Sequence, residues 1–151
     1  MTFASKRVAG VAAALIALGA TSVAAQPQAQ ASGGHALKAT MSGPAETPPG
    51  DPHGKGAASF KVDPAKGQVC YDLRVSNIAP ATMAHIHKGA PGQAGPVAIP
   101  LKAPDATGKS SGCAQADPTV LSDIIRNPSA YYVNVHNAPF PGGAVRGQLT
   151  P

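Results

Sequence analysis

Nowhere does this sequence gather its basic residues. The formal charge is +5, and after Lys6 and Arg7 the bases stand singly at Lys38, Lys55, Lys61, Lys66, Arg74, Lys88, Lys102, Lys109, Arg126 and Arg146. A phosphate-binding face would cluster them, so nucleic acid is excluded as a partner and the charges read as solvated surface. No apolar run reaches the ~20 residues that a membrane-spanning helix needs. No serine stands in a nucleophile motif and no carboxylate pair is held at an obvious working distance, so hydrolase chemistry has no support and no catalytic residue is assigned. Gly89, Gly92 and Gly95 lead into no helix, so they read as turn formers rather than as a phosphate cradle. Cysteine is limited to Cys70 and Cys113, with no CxxC pair to signal a metal or redox motif.

What the N-terminus does contain is an address. Lys6 and Arg7 form a short positive region, Val8 to Ala20 is apolar, and Val23-Ala24-Ala25 offers small residues before a cut. This predicts a signal peptide over 1–25, with Ala29-Gln30-Ala31 as a second cleavage site. A flexible segment, 26–34, and a single domain, 35–151, would follow, in the periplasm or secreted and free of the membrane once the signal is removed. In an oxidising compartment two cysteines allow one connectivity, so a Cys70–Cys113 disulfide on neighbouring strands, Cα atoms ~5.5 Å apart, is the default. Thiolate metal ligation is the competing reading.

Alternation with period two, bounded by glycine and proline, recurs along the domain and predicts an all-β fold. "HALKATM", "GAASFKV", "GQVCYDLRV", "TMAHIH", "GPVAIPL", "KSSGCAQ", "AYYVNVH" and "GAVRGQL" make about eight strands. They suit a Greek-key β-sandwich or barrel. "DPTVLSDIIRNP" departs from the pattern. Asp117 can cap a helix with Pro118 at its first position, Leu121, Ile124 and Ile125 repeat at helical spacing, and Pro128 ends it, which predicts one short connecting helix over an end of the fold. "SGPAETPPGDPHG", residues 42–54, reads as an exposed loop with His53 solvent-facing, and His35 lies beside the start of the domain.

The histidines on strands carry the chemistry. Residues i and i+2 share a strand face ~6.7 Å apart, so His85 and His87 in "MAHIH" can converge on one ion, with Met83 beside them as a weak thioether ligand. The pair alone reads equally as two exposed strand positions. In "YYVNVHN", Tyr131, Val133 and Val135 alternate inward and send His136 to the other face with Tyr132 and Asn134. His87 and His136 both end strands and run into Pro/Gly loops. If those ends lie side by side, three imidazoles share one rim. Three nitrogen donors without a carboxylate suit copper or zinc, and disfavour magnesium and calcium. Arg146, on the polar face of "GAVRGQL", reads as an arginine that braces loop carbonyls or pairs with a carboxylate.

"PATMAHIHKGAPGQAGPV" with "YYVNVHNAPFPGGAVRGQL" resembles the chordin-type (CHRD) domain, over about Ala36 to Leu149. The resemblance implies a secreted all-β module and implies no reaction. The histidine arrangement is also distantly similar to copper-zinc superoxide dismutases, which are Greek-key barrels with an H-x-H pair on one strand and a later copper histidine. That similarity would make His85, His87 and His136 copper ligands and Arg146 an anion guide, but no histidine lies between His87 and His136, so the zinc subsite has no counterpart. Copper holding or transfer is the expected function. A metal-free module presenting its loops to a protein or polysaccharide, and a dismutase-like oxidoreductase, are the alternatives.

Overall fold

The computed structural model describes residues 1–2 and 34–151. The signal peptide and the flexible segment expected before the domain therefore lie outside the described residues, apart from Met1, Thr2 and Gly34. Among the described residues no helix is long and apolar enough to cross a membrane.

Eight strands form one antiparallel sheet: β1 (His35–Ser42), β2 (Lys55–Asp63), β3 (Gln68–Ser76), β4 (Ala81–Lys88), β5 (Val97–Leu101), β6 (Lys109–Gln115), β7 (Tyr131–Asn137) and β8 (Val145–Gln148). Their order is β5-β4-β7-β8-β1-β2-β3-β6. The sheet curls until its two edges nearly meet, and side chains stitch the seam. The Lys102 N–H, just past β5, donates to the Tyr71 hydroxyl at 2.9 Å, and the Ser110 hydroxyl donates to the Lys102 carbonyl at 2.7 Å. Read around this nearly closed barrel the order becomes 1-2-3-6-5-4-7-8, with the β3–β4 and β6–β7 connections crossing between non-neighbours as a Greek key does.

The alternation read from the sequence fills the interior. Leu37, Ala39 and Met41 of β1, Val69, Tyr71 and Leu73 of β3, Ala84 and Ile86 of β4, and Val133 and Val135 of β7 all point inward and are buried. One helix, α1 (Pro118–Arg126), joins β6 to β7. Asp117 caps it, its side chain accepting from the Thr119 N–H at 2.7 Å, and Leu121 and Ile124 are fully buried in the core. Cys70 and Cys113 face each other directly across β3 and β6 and are bonded, with Cα atoms 3.9 Å apart. That is closer than the expected ~5.5 Å and below the ~4.5–5.5 Å usual for directly opposed residues of an antiparallel pair.

The 42–54 segment corrects its reading as an exposed loop. It opens with a short 3₁₀ turn, Gly43–Ala45, and it buries Gly43, Glu46, Gly50 and Gly54. His53 is exposed as expected, its N–H bonded to Asp51 Oδ1 at 3.0 Å.

Candidate metal centre

On β7 every residue from Tyr131 to Asn137 is buried. The inward set packs in the core. The outward set, Tyr132, Asn134 and His136, is buried for a different reason: loops on the outside of the barrel cover it. The 89–96 loop closes over one end of this outer face, residues 138–143 over the other, and Glu46 reaches in from the 43–50 segment. Cross-strand pairing assembles the face in rows, with His87 beside Tyr132 and Gln148, His85 beside Asn134 and Arg146, and Met83 beside His136.

This register overturns one premise. β4 and β7 run antiparallel, so His87 and His136 stand at opposite ends of the strand pair rather than side by side, His87 opposite Tyr132 and His136 opposite Met83. His85 sits between them, and the long side chains lean across four positions. Ring centroids are 5.4 Å apart for His85 and His87, 5.1 Å for His85 and His136, and 6.3 Å for His87 and His136. One nitrogen from each ring lies within 4.8 Å of the other two. A shared tetrahedral ion with bonds of ~2.05 Å would draw such nitrogens to about 3.4 Å.

Hydrogen bonds decide which nitrogens face inward. His87 Nδ1 is 2.9 Å from the Gly95 carbonyl and His136 Nδ1 is 2.9 Å from the Pro141 carbonyl. A carbonyl only accepts, so the His87 ring carries its proton on Nδ1 and keeps a lone pair on Nε2; in His136 the Pro141 carbonyl draws the proton to Nδ1 in the same way, while Asn134 Oδ1 competes for it at Nε2. His87 Nε2 is buried and has no partner. His136 Nε2 meets His85 Nδ1 at 3.2 Å and Asn134 Oδ1 at 3.1 Å. With His136 protonated on Nδ1, a lone pair and a carboxamide oxygen converge at its Nε2, and a proton on His85 Nδ1 would be the one they share. Moving that proton to the other nitrogen of His85 leaves three free donors. Burial, and then the neighbouring rings His136 and His87, lower the His85 pKa. Burial likewise lowers that of His136, against the opposing Pro141 carbonyl. Both rings are therefore held in the neutral form, which is the form that ligates.

Met83 lies on the same face but is 47% exposed. His35 and His53 are exposed and stand outside the cluster. Arg146 is 2% exposed. Its Nη1 donates to the Gln93 carbonyl at 3.0 Å, and its Nη2 to the Ala90 carbonyl at 3.2 Å and to Gln148 Oε1 at 3.1 Å. Its guanidinium carbon is 3.5 Å from the centroid of Tyr132, and that ring stacks on His87 at 4.9 Å with an interplanar angle of 5°.

Sequence reasoning passed over Glu46, Asn134 and the two carbonyls of Gly95 and Pro141. Asn134 alone had a signal, its alternation with His136. Gly95 is confined to glycine because a Cβ there would overlap the Lys88 carbonyl, a closeness that a loop sequence does not encode visibly. Glu46 Oε1 is buried without a partner, beside Gly143, whose φ of +143° and contact with that carboxyl both require glycine. Burial raises the Glu46 pKa to about 7, against the lowering pull of Arg146 and of the Thr47 and Asn134 amides.

No curated protein matches the chain. Residues 37–149, from β1 to just beyond β8, match the family model of the CHRD domain, and the chain accordingly belongs to the CHRD domain family.

Proposed function

We propose that this is an exported CHRD domain that binds copper through His85 Nδ1, His87 Nε2 and His136 Nε2, to hold the ion or pass it on. The observation that carries the reading is the orphaned His87 Nε2, buried in a cluster whose other members already crowd their lone pairs together. An unpartnered buried acceptor is unfavourable by about 1–3 kcal/mol, and a cation in the cluster would satisfy it and its neighbours at once. The donor set argues for copper or zinc, since three imidazoles without a carboxylate give a hard ion little to hold. Export is supported by the disulfide and by the character of residues 1–25. Among the described residues no second cluster of this kind accompanies the histidines, which leaves the two-metal arrangement of the dismutases without support.

Metal analysis of the protein purified from the exported fraction tests the proposal. About one copper per chain is expected, with the affinity lost in His85→Ala, His87→Ala and His136→Ala to a similar degree and retained in His53→Ala. Equal copper affinity in wild type and His136→Ala would sink the three-histidine site and leave a metal-free module, whose Pro/Gly loops meet a protein or polysaccharide.

A further inference from the structure

We propose that Arg146 is a positioning residue of the histidine cluster: by tying the 89–95 loop to the barrel it keeps the Gly95 carbonyl on His87 Nδ1 and so holds the His87 lone pair on Nε2. Residues 89–95, "GAPGQAG", bring no large apolar side chain to anchor themselves, and a segment with few buried contacts opens easily. Backbone bonds close its base, the Gly89 N–H donating to the Ala130 carbonyl at 2.8 Å and the Lys88 N–H to that of Pro96 at 3.1 Å, and above them its own carbonyls point at β8. Arg146 donates to those of Gln93 and Ala90. Gln148, two residues on and therefore on the same face, donates Nε2–H to that of Gly89 at 2.8 Å. Burying a guanidinium is unfavourable unless its donors are used, and here three of the five are used on neutral oxygens, two of them loop carbonyls and one the Gln148 carboxamide.

The planar fork matters because it serves two carbonyls at once while its flat face lies on Tyr132. The same tyrosine stacks on the His87 ring, and its hydroxyl accepts from the Gly95 N–H at 3.3 Å. Arg146 therefore acts on His87 by two routes, through the loop that ends in the Gly95 carbonyl and through the ring that sets the imidazole plane. An imidazole left to water prefers its proton on Nε2, the nitrogen a ligand must keep free, so the Gly95 carbonyl reverses the intrinsic preference. His136 provides an internal control, since its Nδ1 is fixed by Pro141 on a different loop.

The consequence for affinity rests on the metal reading above; the consequence for the ring does not. Long-range ¹H–¹⁵N spectra of the metal-free, ¹⁵N-labelled full-length protein at about pH 8 report which nitrogen of each imidazole carries the proton. In wild type, His87 and His136 are both expected as Nδ1–H. In Arg146→Lys, which keeps the charge and loses the fork, His87 should pass mainly to Nε2–H while His136 keeps Nδ1–H. Gln148→Ala, which cuts the other tie to the same loop and takes one acceptor from Arg146 Nη2 but leaves its bonds to the Gln93 and Ala90 carbonyls, should move His87 the same way by less. Copper affinity should fall ~10–100-fold in Arg146→Lys, as for other losses of an outer hydrogen-bond partner. A wild-type His87 protonated on Nε2, a His87 unchanged in every folded variant, or a His136 that shifts along with it would each overturn the proposal. Wild type with His87 as Nδ1–H but no affinity for copper would end the metal reading and leave the role of Arg146 standing.

Discussion

A carboxyl group with one oxygen buried and unbonded prefers to keep its proton, and Glu46 is such a group. Its pKa is raised from 4.5 to about 7, so the folded state binds the proton more tightly than the unfolded chain does. The stabilisation is fully present below 4.5 and is lost as pH rises through about 7. Glu46→Gln should therefore gain on wild type between pH 4.5 and pH 8, by on the order of 3 kcal/mol, in urea midpoints taken at both. The histidines act with the opposite sign. The His85 and His136 pKa values are lowered from 6.5, so the unfolded chain takes up protons first and the folded state weakens as pH falls through 6.5 toward those lowered values. Copper affinity should fall over the same acid window, because protons compete for the ligating nitrogens. A pH titration with copper checks this, and an affinity flat from pH 7.5 to 5 would contradict it.

At the scale of elements, α1 and the disulfide each secure a connection that the sheet alone does not. Leu121 and Ile124 are fully buried, so Leu121→Ala should reduce stability by about 2–5 kcal/mol through the cavity it opens. Asp117→Ala, which removes the cap without touching the core, should reduce it by ~1 kcal/mol. Denaturant unfolding separates the two. Asp123 also ties the helix to the site strands, accepting from Lys88 Nζ at 2.9 Å and from the Tyr131 hydroxyl at 2.6 Å. Cys70 and Cys113 bridge a sequence separation of 43 residues, for which the entropic account gives about 4 kcal/mol. Their strands, β3 and β6, hold none of the three histidines, so the double replacement Cys70→Ala/Cys113→Ala should lower the urea midpoint and leave copper stoichiometry unchanged in the folded protein.

The barrel as a whole closes at one seam, where β5 and β6 meet through Tyr71, Lys102 and Ser110 rather than through a full ladder. Tyr71→Phe should remove the hydroxyl that receives the Lys102 N–H and weaken the closure by about 1 kcal/mol. Hydrogen exchange should quicken at Lys102 and along β6 while the β4–β7 pair stays protected; uniform acceleration would mean that the seam is not a separate unit. The histidines sit away from this seam, on the outer face of two interior members of the sheet, β4 and β7. That placement gives the candidate site a rigid floor, and leaves its adaptability to the loops above it.

Much of this molecule is written locally. Period-two alternation names the inward residues of β1, β3, β4 and β7, and Asp117-Pro118 with Leu121 and Ile124 marks the helix, because strand pleat and helical pitch depend on residues a few positions apart. The same alternation puts His85 and His87 on one face and His136 on a polar one. Pairing register is not local. Only the antiparallel match of Met83 with His136 and of His87 with Tyr132 determined that the three rings meet by leaning toward His85 rather than by sharing a rim. Nor could alternation reveal that the polar face of β7 would be roofed. Asn134, His136 and Arg146 read as exterior positions, and they are exterior to the barrel, yet the 89–96, 138–143 and 43–50 segments bury them. That roofing depends on contacts between residues up to about a hundred positions apart, such as Glu46 with Gly143, and it is tertiary packing alone that turned three surface histidines into a cluster with its lone pairs facing inward.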